Sequence, residues 1–291
     1  RENEGDLVIP ASKINAKKIN FMAKHGRGLI CLALTQEKVK KLKLPLMSLI
    51  NKSRTQTAFT VSIEAKKGIS TGISAYDRAK TIKVAIKNSS GSKDIVSPGH
   101  VFPLVSKNGG VLERAGHTEA SVDISKLAKL NPSAVICEVM NEDGTMARYN
   151  DLVPFSKKHN LKIAKIEDLI SYRLKNEKFI KMISNRKINI KRFGNYDLKV
   201  FKNKLDGIEH YALTSKNFSY RKVPRVRVIS TNIINTIFNF KKNIFKSTLS
   251  YLSKFNNFAL IIVKSPSHTK NSKENNKILR YYGVGAQIIK E

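Results

Sequence analysis

Short apolar runs alternate with amphipathic stretches through residues 1–173, and this alternation limits the fold more than any other feature of the chain. The runs over 28–34 and 134–140 are continuously apolar, as strands buried on both faces are. Phe59, Val61 and Ile63 alternate with polar neighbours, which indicates a half-buried strand. Ser74 and Asp77 form a capping box ahead of a helix that runs to about Lys87. Further helices are predicted over 13–25, 118–130, 151–159 and 166–173, and a short strand over 161–165.

This order of elements predicts an α/β (α+β) domain, a layered mixed β-sheet with flanking helices. The residue pattern changes after Tyr172, where the chain becomes rich in lysine. We read 174–191 as a basic connector, 193–201, 208–214 and 258–263 as strand-like segments, and 266–277 as a polar loop. The expected organisation is a first domain over 1–173, the connector over 174–191, and a second, smaller α/β domain over 192–291.

Composition excludes several classes of protein. Hydrophobic residues make up 41% of the chain, which is enough for a sizeable core and argues against disorder. The longest apolar runs, such as 258–263, are too short to cross a bilayer. The two cysteines, Cys31 and Cys137, exclude a disulfide framework and a multi-cysteine zinc site, and they favour a cytoplasmic setting. Because the chain opens on Arg1 within a charged motif and stops abruptly at Glu291, we expect both ends to be truncated.

Basic charge is concentrated in the second half. Residues 172–291 carry 26 Lys and Arg against 6 Asp and Glu. Such a surface suits nucleic acid or an anionic partner, so a non-enzymatic basic binding protein is the alternative to an enzyme. However, the lysines are scattered among Asn, Ile and Phe without a recognisable motif, and a drift in composition explains them equally well. We therefore predict no specific nucleic-acid partner.

The first six residues crowd three carboxylates together. In an extended strand Glu2, Glu4 and Asp6 project from one face, where they repel one another unless a cation or a role in proton transfer compensates. The pattern is consistent with a divalent-metal site or an acid–base site. Taken alone, the pattern favours a solvated acidic strand end.

Polar residues also occur beside glycine or proline in an ordered series of segments, namely 1–6, 28–31, 71–78, 98–104, 109–120 and 137–138. Together, in this order, the segments closely resemble 3,4-dihydroxy-2-butanone 4-phosphate synthases of riboflavin biosynthesis. The resemblance runs from Arg1 to about Arg173. It implies a lyase that converts D-ribulose 5-phosphate into L-3,4-dihydroxy-2-butanone 4-phosphate and formate through a metal-stabilised enediolate.

The resemblance also implies cofactors and partners. The metal would be Mg²⁺ or Mn²⁺, with two ions per site allowed, and no zinc. The substrate would be a sugar phosphate, and the enzyme would be a homodimer with its active sites near the subunit interface.

Roles for individual residues follow from the same resemblance. Glu2 and His117 match metal ligands, and Glu4 lies close to the same site. His100 and Glu138 match positions essential for catalysis, and Cys31 matches an active-site cysteine. The substrate-contacting positions are Arg1, Glu2, Asp6, Thr71, Asp77, Arg114, Ala115, Gly116, His117, Thr118 and Glu138.

These residue types suit the chemistry. Removing and returning a proton next to a carbonyl needs a carboxylate and a histidine, which Glu138 and His100 supply. Arg114 and the helix start near Thr118 suit a phosphate. Each residue also has a simpler reading in isolation. His100 would brace a turn, His117 and Asp77 would cap helices, Thr71 would belong to a turn, and Cys31 would be a small core residue.

The second half resembles a degenerate GTP cyclohydrolase II domain in the segments 193–196, 224–230 and 279–289. That family holds a catalytic zinc through three cysteines, whereas no cysteine follows Cys137 here. The Gln-Glu-Gly-Arg stretch that the resemblance leads us to expect is replaced over 264–273. We therefore predict that GTP cyclohydrolase II activity is absent.

Overall fold

A computed structural model describes residues 4–48, 50–53, 57–219, 221–231, 244–264 and 283–289. The chain divides into two compact units, Arg1–Ile170 and Ser171–Glu291. Among the helices in the described ranges, none has the length and apolar character that a membrane span requires. Both units contain a mixed β-sheet with flanking helices, so the predicted fold class is confirmed.

The first unit is built on a five-stranded sheet in the order β1-β5-β2-β4-β3. Its strands are β1 (Asp6–Pro10), β2 (Cys31–Leu34), β3 (Ile63–Ala65), β4 (Ile95–Val105) and β5 (Ala134–Glu138). Its helices are α1 (Ala16–Phe21), α2 (Gln36–Leu42), α3 (Ala75–Ile86), α4 (His117–Leu127) and α5 (Tyr149–Lys158), and α6 (Ile166–Asn176) follows them. Strands β2 and β4 are parallel, and the other neighbouring pairs are antiparallel.

The two faces of this sheet have different partners. Leu7, Leu32 and Val135 point to one face, where they pack in one core with residues of α1 and α3, among them Ile19 and Ile82. Helix α4 packs on β1, β5 and β2. Since side chains alternate along a strand, the residues between those core positions point to the opposite face, the one on which α4 begins.

Local sequence explains the helix ends. The side chain of Asn15 caps α1 by accepting from Lys18 N, and the helix continues as a π-helical turn, Met22–Gly26. The chain leaves this turn at Arg27, which is in the left-handed region with φ 66°. The Ser74–Asp77 cap ahead of α3 is confirmed, because Ser74 Oγ accepts from Asp77 N at 3.0 Å.

Two predicted strands differ from the structure. No strand forms over 161–165, where all five residues are exposed and so lack a sheet to pair with. The alternating segment that begins at Phe59 makes only isolated bridges at Phe59 and Thr60, and strand β3 starts at Ile63. One observed strand, β4, is not predicted from the sequence. It contains Pro98 and Pro103, and proline is unusual within a strand.

The second unit has a sheet in the order β6-β7-β8-β10-β9. The strands are β6 (Ile180–Ile190), β7 (Gly194–Asn203), β8 (Glu209–Ser215), β9 (Arg225–Thr231) and β10 (Phe258–Lys264). Helices α7 (Ile244–Leu252) and α8 (283–289) accompany them. Tyr196, Leu213, Leu249, Phe258 and Leu260 belong to the core.

The prediction of a connector over 174–191 is wrong, since most of this segment is β6. That strand pairs with β7 from Ile180 to Ile190, so the sheet supplies partners for its backbone groups. Its lysines misled the prediction because an edge strand tolerates charged side chains. The predicted polar loop over 266–277 lies outside the described residues.

Candidate active site

Asp6 and Glu138 begin a row of polar residues across one end of the first sheet. They are directly opposite each other in the antiparallel β1–β5 pair, so their side chains share a face. Glu138 Oε2 accepts a hydrogen bond of 2.9 Å from the backbone N of Leu29, just ahead of β2. The carboxylate of Glu138 is therefore fixed between β1 and β2.

His100 extends the same row onto β4. Cys31 of β2 is paired with Ile136 on one side and with Phe102 on the other. His100 lies two residues before Phe102 on β4. Glu138 lies two residues after Ile136 on β5. Glu138 and His100 therefore lie on the two strands that flank β2, and Cys31 lies on β2 between those strands.

Asp6 lies in an unfavourable electrostatic position. Its side chain is only 4% exposed, and within the described structure Oδ1 has no hydrogen-bond partner. Burial raises the pKa of Asp6 to about 6, His117 opposes that rise, and Glu138 and Glu4 add to it. A buried carboxylate with carboxylate neighbours and an orphan oxygen is suited to a positive ligand.

His117 faces this carboxylate from the start of α4. Its Nδ1 lies 3.5 Å from Asp6 Oδ1. The preceding residue, Gly116, is the N-cap and provides no side-chain hydrogen bond to the helix start. Thr118, the next residue of α4, is buried. The first turn of α4 therefore presents its backbone N–H groups without a side-chain cap, and such groups attract anions.

Arg114 contacts Glu119 and Thr57 beside the same turn. Its guanidinium donates to Glu119 Oε2 at 2.7 Å and to Thr57 Oγ1 at 3.1 Å. Glu119 is 1% exposed, and burial raises its pKa against the opposing effect of Arg114. A Cβ on Gly116 would lie 2.4 Å from Arg114 Nη1 and 2.9 Å from Glu119 Oε2, so the ion pair would have to shift to admit a side chain at this helix start.

Glycine also permits the position of Glu138. A Cβ on Gly28 would come within 2.6 Å of both Glu138 O and Glu138 Oε2. The backbone before β2 thus passes directly against this carboxylate. The motif at 28–31 owes its glycine to this close approach.

His100 contacts a carboxylate that the sequence motifs did not indicate. Its Nδ1 hydrogen-bonds with Oε1 of Glu64, the middle residue of β3. No local pattern marks Glu64, because it stands alone between two buried residues and meets His100 only through the pairing of β3 with β4. Its one sequence signal is a carboxylate inside an otherwise apolar strand.

Asp77 organises the turn that carries Thr71. Asp77 Oδ2 accepts from Ser70 Oγ at 2.9 Å, Ser70 N at 3.3 Å and Gly72 N at 3.1 Å. Burial acts to raise the pKa of Asp77, but these hydrogen bonds and the one from Ser74 outweigh it and lower the pKa. Thr71 itself is exposed. The contacts of this carboxylate lie within the turn, as the capping interpretation expected.

Both thiols are protonated in their surroundings. Cys31 and Cys137 are free and buried. Burial raises the pKa of Cys31 well above its ordinary range, and Glu138 and Asp6 raise it further. Burial likewise raises the pKa of Cys137 to about 12. Cys31 thus borders the site as a neutral, largely apolar group, not as a thiolate.

Two of the predicted residues, Arg1 and Glu2, lie outside the described residues. Glu4 is described and is half-buried near Asp6. Within the described part of the chain, no group of three or more His, Cys, Asp or Glu side chains has the arrangement of a metal site. The predicted ligand set of Glu2, Glu4 and His117 therefore stays a prediction.

This arrangement has the parts that proton transfer on an anionic substrate requires. Glu138 and His100 provide a carboxylate and an imidazole on one face. The start of α4, with Arg114 beside it, provides donors for an anion. Asp6 adds a buried negative charge that a cation would balance.

Comparisons with known proteins agree with this picture. Residues 1–172 match the family model described as 3,4-dihydroxy-2-butanone 4-phosphate synthase. A protein of that name from Photobacterium phosphoreum is 50% identical over 228 residues, which are 78% of this chain and 62% of the relative. The chain thus spans less than two thirds of that relative.

Two solved structures are similar to the chain. The crystal structure of RibBX, a two-domain 3,4-dihydroxy-2-butanone 4-phosphate synthase from A. baumannii, is 39% identical with a TM-score of 0.86. That likeness covers 100% of this chain and 83% of the other. A 3,4-dihydroxy-2-butanone 4-phosphate synthase in complex with two magnesium ions is 39% identical with a TM-score of 0.58. This likeness covers 60% of our chain and 87% of the chain of the magnesium complex.

Proposed function

We propose that this chain, which belongs to the 3,4-dihydroxy-2-butanone 4-phosphate synthase family, converts D-ribulose 5-phosphate into L-3,4-dihydroxy-2-butanone 4-phosphate and formate. The product would serve riboflavin biosynthesis. The observation that carries the proposal is the row of Asp6, Glu138 and His100 on one face of the sheet. Family membership favours this lyase over the basic binding protein that the charge of the second half suggested.

Two side chains of the row would handle protons. Glu138 Oε1 and Oε2 form the candidate base that removes a proton next to the substrate carbonyl, with Leu29 N holding Oε2 in place. His100, on the other side of Cys31, would accept or return a proton at Nε2, because its Nδ1 is engaged by Glu64. The neutral thiol of Cys31 would lie between them and keep water away from the reacting carbons.

The phosphate would bind at the start of α4. Residues 114–118 bring the Arg114 guanidinium together with the backbone N–H groups of His117 and Thr118 at a helix terminus that lacks a side-chain cap. Asp6, Thr71 and Asp77 would border the rest of the substrate together with Arg1 and Glu2. Of these, Asp77 acts through the turn that it holds.

Asp6 is the described residue that most favours a divalent cation nearby. Its buried Oδ1 has no hydrogen-bond partner within the described structure, and the carboxylates of Glu138 and Glu4 add negative charge around it, which His117 opposes. We propose that Glu2, Glu4 and His117 hold Mg²⁺ or Mn²⁺. A second ion is allowed, because the related synthase is in complex with two magnesium ions. Oxygen and imidazole donors suit these ions better than zinc. When bound, the cation stabilises negative charge that develops on the substrate oxygens.

We further propose that the enzyme acts in the cytoplasm as a homodimer with its sites near the subunit interface. The two free thiols agree with a reducing compartment. Sedimentation of the active enzyme should give a dimer, and an active monomer would contradict this assembly.

The second unit, in this proposal, has no GTP cyclohydrolase II activity. No cysteine follows Cys137, so the chain lacks the thiolate ligands of a zinc-activated water. Incubation with GTP and zinc should leave GTP intact.

A formate assay tests the proposed lyase. The purified full chain with ribulose 5-phosphate and Mg²⁺ should release formate, and EDTA should stop the release. Glu138→Gln should lower the rate at least about 100-fold, since it removes the candidate base. Glu37→Gln, which changes an exposed residue of α2, is the matched control and should retain the rate. Equal rates in the two variants would refute the role of Glu138.

A further inference from the structure

Glu64 contacts the candidate acid–base residue from a neighbouring strand. Its Oε1 hydrogen-bonds with His100 Nδ1. The Glu64 side chain is 16% exposed, whereas the imidazole is 44% exposed and therefore reachable by substrate. We infer that Glu64 is a positioning residue, which fixes the orientation and tautomer of His100 for proton transfer at Nε2. This inference rests on the proposed function.

The pairing of β3 with β4 places the two side chains together. Ile63 is paired with Val101, but the next residue, Glu64, is paired with Val96. Residues 97–100 are thus an excursion of β4 that has no counterpart on β3. Since His100 is the last residue of this excursion, its position depends on how the excursion is anchored.

Ser62 anchors the excursion at two points. Ser97 Oγ donates to Ser62 O at 2.7 Å, and Gly99 N donates to Ser62 Oγ at 3.0 Å. A Cβ on Gly99 would lie 2.2 Å from the backbone C of Ile63 and 2.4 Å from Glu64 Cγ. The backbone before His100 is therefore pressed against β3 beside Glu64.

A second glycine encloses the carboxylate from the other side. Gly72 has φ +83°, and a Cβ there would lie within 2.4 Å of Glu64 Cδ. The hydrogen bond from Gly72 N to Asp77 Oδ2 holds this turn in place. Glu64 is thus confined between the 70–72 turn and the imidazole, which leaves its carboxylate little freedom to swing away.

The chemistry of the contact determines which nitrogen reacts. A carboxylate accepts hydrogen bonds, so Nδ1 of His100 donates one and carries the hydrogen. The lone pair of the neutral ring then lies on Nε2. The same carboxylate also holds the imidazole ring in one orientation. Without it, the two tautomers would exchange and the ring would rotate, and fewer molecules would have a reactive nitrogen in the correct place.

Isosteric substitution tests this role. Glu64→Gln keeps the side-chain volume between Gly72 and His100 but removes the charge. We expect kcat to fall about 10- to 100-fold with an unchanged KM, because His100 loses its partner while the substrate contacts stay. Glu64→Asp, which keeps the charge, should recover part of the rate. Glu37→Gln is the control and should behave as the wild type.

The tautomer can be read directly without substrate. Two-dimensional ¹H–¹⁵N spectra of the histidine side chains, assigned by the loss of one signal in His100→Gln, should show a protonated Nδ1 in the wild type. In Glu64→Gln the His100 signals should move towards a mixture of tautomers. Circular dichroism and thermal unfolding of each variant control for the fold.

The outcomes separate this inference from the proposed function. Wild-type kcat and an unchanged His100 spectrum in Glu64→Gln would overturn the positioning role. A fall in kcat that matches only a loss of folded protein, with the tautomer retained, would also overturn it. If the wild type released no formate, the proposed function would be wrong, while the spectra would still decide whether Glu64 fixes His100.

Discussion

Asp6 and Glu138 face each other across β1 and β5, so that a buried carboxylate and a half-buried one share one face of the first sheet. Asp6 Oδ1 has no hydrogen-bond partner within the described structure and lies 3.5 Å from His117 Nδ1. Such an arrangement is unfavourable for folding alone, because buried like charges repel. The proposed site, which would bind a cation and a substrate, would account for the presence of these residues together.

Asp6→Asn should therefore stabilise the metal-free protein while it removes activity. The amide has the same size and no charge, so the variant no longer buries a carboxylate and also loses the repulsion from Glu138 and Glu4. In EDTA at neutral pH, the unfolding free energy should rise by about 1–3 kcal/mol. Thermal unfolding and the formate assay check the two effects. A less stable Asp6→Asn protein would show that the carboxylate has a structural partner instead.

Gly28→Ala should disturb the site through Glu138. The new methyl group would lie 2.6 Å from Glu138 Oε2 and Glu138 O, so either the carboxylate or the strand must move. We expect a rate about 100-fold lower, because small displacements of reacting groups have large effects, and a stability loss of about 1–3 kcal/mol. Gly91→Ala is the matched control, since its methyl group would meet only Lys41 O, at 3.9 Å. Normal activity in Gly28→Ala would show that the position of Glu138 is not critical.

Arg114→Ala should weaken both substrate binding and the fold. Its removal leaves Glu119, which is 1% exposed, without the guanidinium that balances its charge. Breaking such a buried pair costs about 3 kcal/mol. The KM for ribulose 5-phosphate should also rise if Arg114 binds the phosphate. Arg148→Ala, which removes an exposed side chain, serves as the control for chemical denaturation and for the KM. A KM equal to the wild-type value would remove Arg114 from the phosphate site.

His210 should make the second unit sensitive to acid. Burial and then the charge of Lys264 lower the pKa of His210 to about 4, from an ordinary value of 6.5. The unfolded chain therefore binds a proton on this residue at a higher pH than the folded chain does. The contribution of neutral His210 to the free energy of unfolding is fully present above pH 6.5. It is lost as the pH falls from 6.5 to about 4, and the loss is at most about 3 kcal/mol.

The substitution His210→Gln tests this dependence. Glutamine retains an acceptor for Lys264 N, which donates to His210 Nδ1 at 3.2 Å, but it does not titrate. Thermal unfolding between pH 7 and pH 4.5 should depend less steeply on pH in the variant. Identical slopes for both proteins would exclude His210 as the source.

The sequence predicted elements whose signals are local. Buried strands around Cys31 and Ile136 follow from continuous apolar runs, and the start of α3 follows from the capping residues Ser74 and Asp77. The sequence does not predict strand β4 because it contains two prolines: Pro98 lies at the irregular pairing with β3, and Pro103 lies opposite Leu32 in the ladder with β2. The sequence predicts a connector at strand β6 because an edge strand has few buried residues to mark it.

The candidate site divides in the same way. Motifs indicated His100, His117 and Glu138 individually, but only the sheet register brings Glu138 and His100 into one row. Glu64 reaches His100 through a pairing between β3 and an excursion of β4, and no spacing in the sequence encodes that contact. Similarly, the ion pair that Glu119 forms with Arg114 is visible only in the folded unit.

The most direct test of the account is to observe both products of the proposed reaction together. The full chain should be mixed with ¹³C-labelled ribulose 5-phosphate and Mg²⁺ and followed by ¹³C NMR. Formate and 3,4-dihydroxy-2-butanone 4-phosphate should appear in equal amounts as the substrate signals decline, and EDTA should stop both. Persistence of the substrate signals, or formate that appears without the butanone phosphate, would contradict the assignment of this chain as a metal-dependent lyase.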